Sequence, residues 1–171
     1  MDFKRIAGEH SIQQDLAAVN SKYGMGDGYS LNCGNCVAAY ELRRRGIDVE
    51  AQPRDWMPDD EWANLFEGFL RQKPTSKTTV KVVEELELKI LSWGEGARGT
   101  IFGVIMGSPQ MGHFFSVEVS GGKVMFVDSQ INMVDVRSYF EGLVPQSIVF
   151  GRLDNLKPSD NIINVVKARE T

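Results

Sequence analysis

The residues from His113 to Val127 constrain the fold of this chain more than any other stretch. His113-Phe114-Phe115-Ser116-Val117-Glu118-Val119 alternates, Gly121-Gly122 is a two-residue hairpin signal, and Lys123 to Val127 returns. Residues 100–106 are β-rich, 131–135 fit a short strand, and Ser147 to Leu153 fits a last one. The first half is spaced differently. Ile12, Leu16 and Val19 share a helical face behind a Ser11 N-cap, and Cys33 to Arg45 reads as a helix stopped by Gly46. Asp59 or Asp60 can cap a helix carrying Trp62, Leu65, Phe66, Phe69 and Leu70. Lys77 to Trp93 forms another, with Val80, Val83, Leu86, Leu88 and Leu91 apolar. A late helix behind Asp135 would hold Val136, Tyr139, Phe140 and Leu143. Helices first and an antiparallel sheet second predict an α+β fold, the N-terminal helices packed on the sheet. At 171 residues one core suffices. Residues 1–28 supply a helix and a glycine-rich approach loop, 29–154 the main body, and 155–171 a polar tail.

Several functions are disfavoured at once. No apolar run reaches the ~18 residues of a membrane span. The N-terminus lacks the apolar core of a signal peptide, which predicts delivery within a larger protein or by a dedicated secretion system. A net charge of −4 argues against a nucleic-acid surface. Arg43-Arg44-Arg45 reads as a solvated helix end complementing the dipole. The glycine-rich Tyr23 to Gly28 lacks both a Gly-Lys-Ser/Thr ending and a preceding strand, so it is no phosphate cradle.

Both cysteines lie in Asn32-Cys33-Gly34-Asn35-Cys36. A redox pair would want a strand before Cys33, where the sequence reads as loop. Zinc would want two more ligands, and the only histidines, His10 and His113, are far apart. Neither a metal nor another cofactor is expected. What remains is a catalytic cysteine, against the plainer reading of two small buried hydrophobes. Cys33 sits at a helix start, where the dipole and free N–H groups favour a thiolate; Cys36 lies one turn deeper with Val37 and Tyr40 on the same face. His113 opens the hairpin and Asp128 closes it, with Gly121-Gly122 nearly midway. Pairing then brings histidine and carboxylate side by side, within hydrogen-bond reach. Turn chemistry alone would explain Asp128 before Ser129-Gln130, but together with Cys33 the set makes a thiol–imidazole–carboxylate site.

Asn32-Cys33-x-x-Cys36-x-x-Ala39, Gly46-x-Asp48-Val49, Gly96-Ala97-Arg98-Gly99, Gly112-His113 and Asp128-x-Gln130 resemble, in that order, the papain-fold toxin domain of bacterial polymorphic toxins and phage head proteins. That family is related to effector glutamine deamidases, and the resemblance spans roughly residues 20–150. It implies a papain-like fold and hydrolysis of a glutamine side chain in a partner protein, inside a target cell's cytoplasm, with a cognate immunity protein as a further partner. It makes Cys33 the nucleophile, His113 the general base and acid, and Asp128 the orienting residue, with Asn32 and Gln130 lining the site. Papain-type proteases would instead select the second cysteine, so Cys36 stays the alternative nucleophile. A cysteine protease, a transamidase and an inactive binding module are the rival readings.

Overall fold

The computed structural model describes residues 2–54 and 59–169, the side chains of Asp59 and Asp60 excepted. Helix α1 (Ile12–Val19) opens with a full capping box: Gln14 N donates to Ser11 Oγ at 3.1 Å and Ser11 N to Gln14 Oε1 at 2.7 Å. One turn of helix, α2 (Asp27–Ser30), interrupts the glycine-rich approach loop before α3 (Cys33–Arg44). Next come β1 (Val49–Ala51), α4 (Asp59–Trp62) and α5 (Thr79–Leu91). The second half holds β2 (Arg98–Val104), β3 (Gly112–Ser120), β4 (Lys123–Asp128), β5 (Met133–Val134) and β6 (Val149–Arg152). These form one antiparallel sheet in the order β5-β4-β3-β2-β6. A last strand, β7 (Val166–Ala168), pairs with β1 in a separate ribbon. The chain is therefore α+β, with the helices on the sheet. Among the described residues no helix is long and apolar enough to cross a membrane.

The sheet separates two cores, and strand alternation decides which residue joins which. Phe114 and Val127 pack with α1, α3 and Trp62. Phe115, Val117 and Phe126 pack with α5 and with Phe140. The turn between β3 and β4 holds Gly121 and Gly122 at φ +61° and +74°, the left-handed pair a two-residue hairpin needs.

Three helices differ from their sequence-based forms. Behind Asp59 the α-helix lasts one turn, continues as a 3-10 turn over Ala63–Leu65, and gives way at Phe66; Trp62, Leu65 and Phe66 are buried but Leu70 is exposed. The cap expected from Asp59 or Asp60 falls on side chains outside the described set. In α5 the buried face is Val82, Val83, Leu86 and Ile90, so Val80 and Leu88 point to solvent. The late helix is a 3-10 segment, Arg137–Gly142, and Asp135 adopts φ +62° instead of capping it.

The tribasic segment is the largest departure. It is not a solvated helix end. Helix α3 is buried from Gly34 to Arg43, so its charges meet carboxylates instead of water. Arg43 pairs with Asp15 at 3.1 Å and Asp48 at 2.8 Å; Arg44 pairs with Asp15 at 2.8 Å and Glu118 at 3.0 Å. Arg45 reaches Glu41 at 2.7 Å. Glu41 also receives a two-pronged bond from Arg98, at 2.8 and 2.9 Å, which gives Arg98 its role: it ties β2 to α3. Glu41→Gln leaves two guanidinium groups facing a neutral amide. We expect a loss of about 3–5 kcal/mol in urea unfolding, the range for breaking a buried pair from one side.

Candidate active site

Cys33 is the first residue of α3, and Asn32 precedes it as N-cap. Asparagine there usually accepts from the first turn, but no side chain caps this helix. The Asn32 amide is spent elsewhere, donating to Asn20 Oδ1 at 3.0 Å and Gln52 O at 3.1 Å. The first-turn N–H groups beside Cys33 are thus not held by their own N-cap residue. Trp62 Nε1 donates to Gly34 O at 2.8 Å, and a Cβ on Gly34 would lie 2.8 Å from the indole. The same indole stacks on Phe114 at 5.3 Å, so it joins the neighbour of Cys33 to the neighbour of His113.

The hairpin register runs from Ser120↔Lys123 to Ser116↔Val127. Continued by one pair, it sets Asp128 opposite Phe115 and leaves His113 two residues further along the same face. The two are diagonal neighbours, not the side-by-side pair expected from sequence. The turn fixes the register, and a diagonal pair is still within reach of long side chains. His113 Nε2 donates to Asp128 Oδ2 at 2.8 Å. Nδ1 is then the ring nitrogen left without Asp128, and the Cys33 thiol lies near enough to the imidazole to favour its charged form. Burial works against charge on this ring. The hydrogen bonds to Asp128 and Cys33 and their attraction outweigh it, and the imidazole is pushed up to about 10.

Asp128 is held from two further sides. Gln130 N donates to Oδ1 at 3.0 Å, and Tyr139 donates its hydroxyl to Oδ2 at 2.8 Å. The Tyr139 ring also stands edge-on to His113, 5.7 Å away, while Phe115 stacks on the imidazole at 6.2 Å. Burial raises the Tyr139 hydroxyl above the ordinary phenol range, and the bond to Asp128 adds to it, so it stays a donor. Sequence reading placed Tyr139 only as an apolar helical position. Its arrival at Asp128 depends on left-handed turns at Asn132 and Asp135 that residue spacing does not announce.

Gln130 lies in the same place but is already engaged, donating to Ser30 O at 3.0 Å and to Asn32 Oδ1 at 3.4 Å. Ser129 Oγ donates to Cys36 O at 3.0 Å. The loop after Asp128 is thereby bolted to the segment around Cys33. Cys33 is partly exposed and Cys36 is 1% exposed; both thiols are free. Burial pushes the Cys36 thiol well above its usual value, with Cys33 and Asp128 adding to the shift. Among the described residues no group of three or more His, Cys, Asp or Glu is placed to hold a metal.

The model of a family described as "Papain fold toxin 1, glutamine deamidase" matches residues 31–133, a span that contains Cys33, His113 and Asp128. No curated protein matches the chain. Among solved structures, the G161 variant of the Salmonella effector SpvD superimposes with a TM-score of 0.61 at 16% identity, covering 89% of this chain and 82% of that one. At that identity the likeness concerns the fold.

The imidazole geometry has a direct spectroscopic consequence. Because the folded value lies above 6.5, this pairing stabilises the fold below that pH, and the contribution is lost as pH rises through about 10. In 15N NMR, His113 should remain protonated until pH approaches about 10, and Asp128→Asn should move its titration back toward 6.5.

Proposed function

The chain belongs to the papain fold toxin 1, glutamine deamidase family, and on that footing we propose that it is a toxin or effector that hydrolyses a glutamine side-chain amide in a target-cell protein. The observation that carries the reading is His113 bonded to a buried carboxylate, with a helix-start thiol near enough to act on its charge. In this reading Cys33 is the nucleophile, His113 the proton carrier and Asp128 the residue that orients it.

In this reading the pair reacts as a Cys33 thiolate beside a His113 imidazolium. The thiolate attacks the amide carbon and forms a C–S bond. Backbone N–H groups at the start of α3 receive the oxyanion; one such donor is typically worth ~3 kcal/mol in the barrier. His113 gives its Nδ1 proton to the amide nitrogen, the C–N bond breaks, and ammonia leaves a thioester. His113, now neutral, takes a proton from water as the oxygen adds to the thioester carbon. The C–S bond then breaks to return thiolate, imidazolium and a glutamic acid side chain, whose proton passes to solvent to leave glutamate. Asp128 keeps the ring in one orientation and stabilises its charged form. Tyr139 and the Gln130 amide hold Asp128 for that task.

The raised Cys36 thiol and its burial support Cys33 over Cys36. Free thiols suit a reducing target-cell cytosol, and delivery by a secretion system or within a larger toxin fits the family. Asn32 acts in this reading by leaving the helix start uncapped, and Gln130 by securing the loop of Asp128.

Cys33→Ala should abolish ammonia release from the target protein, Cys36→Ala should retain it, and His113→Ala should lower kcat by about 10²–10⁴-fold. Ammonia release that survives Cys33→Ala and is lost in Cys36→Ala would overturn the nucleophile assignment. Intact mass spectrometry of the target separates deamidation, a gain of about one dalton, from chain cleavage and from amine incorporation.

A further inference from the structure

A cavity of about 450 Å³ opens beside His113, within the range of ~300–1,000 Å³ found for ligand sites. Its apolar walls are Ile105, Ile131, the Tyr139 ring and Leu143, with Gly142 between the last two. Ser138 contributes a hydroxyl, and Asp128 and Gln130 also reach the cavity. Neither of those two is free to serve a new charge. Asp128 is taken by His113 and Tyr139, and Gln130 by Ser30 and Asn32. Among the described residues no lysine, arginine or glutamate lines the space. His113 at the wall can carry positive charge but is already bonded to Asp128, so a charged group entering the space would lose its water and find no free partner, whereas an apolar one would be favoured.

The apolar character continues from the cavity to the surface. Ile105 leads into the β2–β3 turn, where Met106 and Met111 are exposed just ahead of His113. Ile131 leads into β5, where Met133 and Val134 are exposed just after the Asp128 loop. Methionine gives a deformable contact surface, suited to a partner whose shape must be accommodated. At one point the wall carries no side chain: Gly142 lines the cavity, and a Cβ built on it meets nothing within 4 Å. The space is bounded by the His113 imidazole on one side and has room for a side chain at Gly142.

We infer that this cavity is a specificity subsite, which receives an uncharged apolar side chain, branched aliphatic or aromatic, flanking the glutamine that is hydrolysed. The inference rests on the deamidase reading for the identity of the reacting group, and on the cavity itself for the neighbouring residue. Selection then acts at two points. The thiol site takes the carboxamide, and the cavity accepts or rejects the adjoining residue. A glutamine flanked by acidic or basic residues would be a poor substrate even on an exposed segment.

The test uses the reactivity of Cys33 so that it does not require turnover. Alkylation rates are measured with N-(3-methylbutyl)iodoacetamide and N-(2-carboxyethyl)iodoacetamide, normalised to the same pair reacting with glutathione. The branched tail should be favoured by about tenfold or more, the benefit of burying one such group. Gly142→Leu, which fills the open wall, and Ile131→Glu, which charges it, should each remove most of that preference. A wild-type ratio equal to that of glutathione, or a ratio that both variants leave intact, would overturn the subsite. In parallel, ammonia release is followed from acetyl-Leu-Gln-Gly-amide and acetyl-Gly-Gln-Leu-amide against their Glu-for-Leu counterparts. Apolar-selective alkylation with no ammonia from any peptide sustains the subsite and removes the deamidase reading. Ammonia from all four at equal rates, with no alkylation preference, does the reverse.

Discussion

Helix α3 is enclosed by protein along most of its length and still carries Glu41, Arg43 and the base of Arg44. Charges in that position are tolerated only when paired and hydrogen-bonded. Each pairing recruits a separate element: Asp15 from α1, Asp48 ahead of β1, Arg98 from β2 and Glu118 from β3. Tyr40 joins the same set by donating to Glu118 at 3.0 Å. The network fixes α3 against the sheet in rotation and in depth, so the position of Cys33 relative to β3 is set by contacts two to three turns away from it.

From that placement the site assembles with few degrees of freedom left. The hairpin turn sets the register of β3 against β4, and register sets the diagonal between His113 and Asp128. Trp62 joins the start of α3 to Phe114, and Ser129 joins the Asp128 loop to Cys36. Reactive groups held by locked neighbours lose little on entering a reacting geometry. The rigid parts are helix and sheet; the apolar rim of Met106, Met111 and Met133 lies on turns and the short edge strand β5, where adaptation to a partner is least costly.

How much of this is legible in sequence follows from the range of the forces involved. Alternation about Gly121-Gly122 is local, so the hairpin, and through it the meeting of His113 and Asp128, can be read directly. So can the α+β order and the unequal depths of Cys33 and Cys36. The charge pairs cannot. Arg44 and Glu118 are 74 residues apart and Arg98 and Glu41 are 57 apart, and three consecutive arginines look alike whether solvated or buried. Val80 and Leu88 fit an apolar spacing as well as Val82 and Ile90 do, and only the packing of α5 on the sheet chooses between faces. Tyr139 escapes for a third reason: its direction is set by backbone at positive φ in residues other than glycine, which sequence marks weakly.

The β1–β7 ribbon carries a consequence for biogenesis. Val49 pairs with Ala168 and Ala51 with Val166, so the strand directly after α3 finds its partner more than a hundred residues later. A ribosome, or a translocation channel passing the chain amino end first, releases α1, α3 and β1 long before β7. Helix α3 therefore emerges with one flank unsealed, and its completion belongs to the last stage of emergence, when a long loop must close. A chain of this topology completes the packing around α3 only once its carboxyl-terminal strand is free to pair.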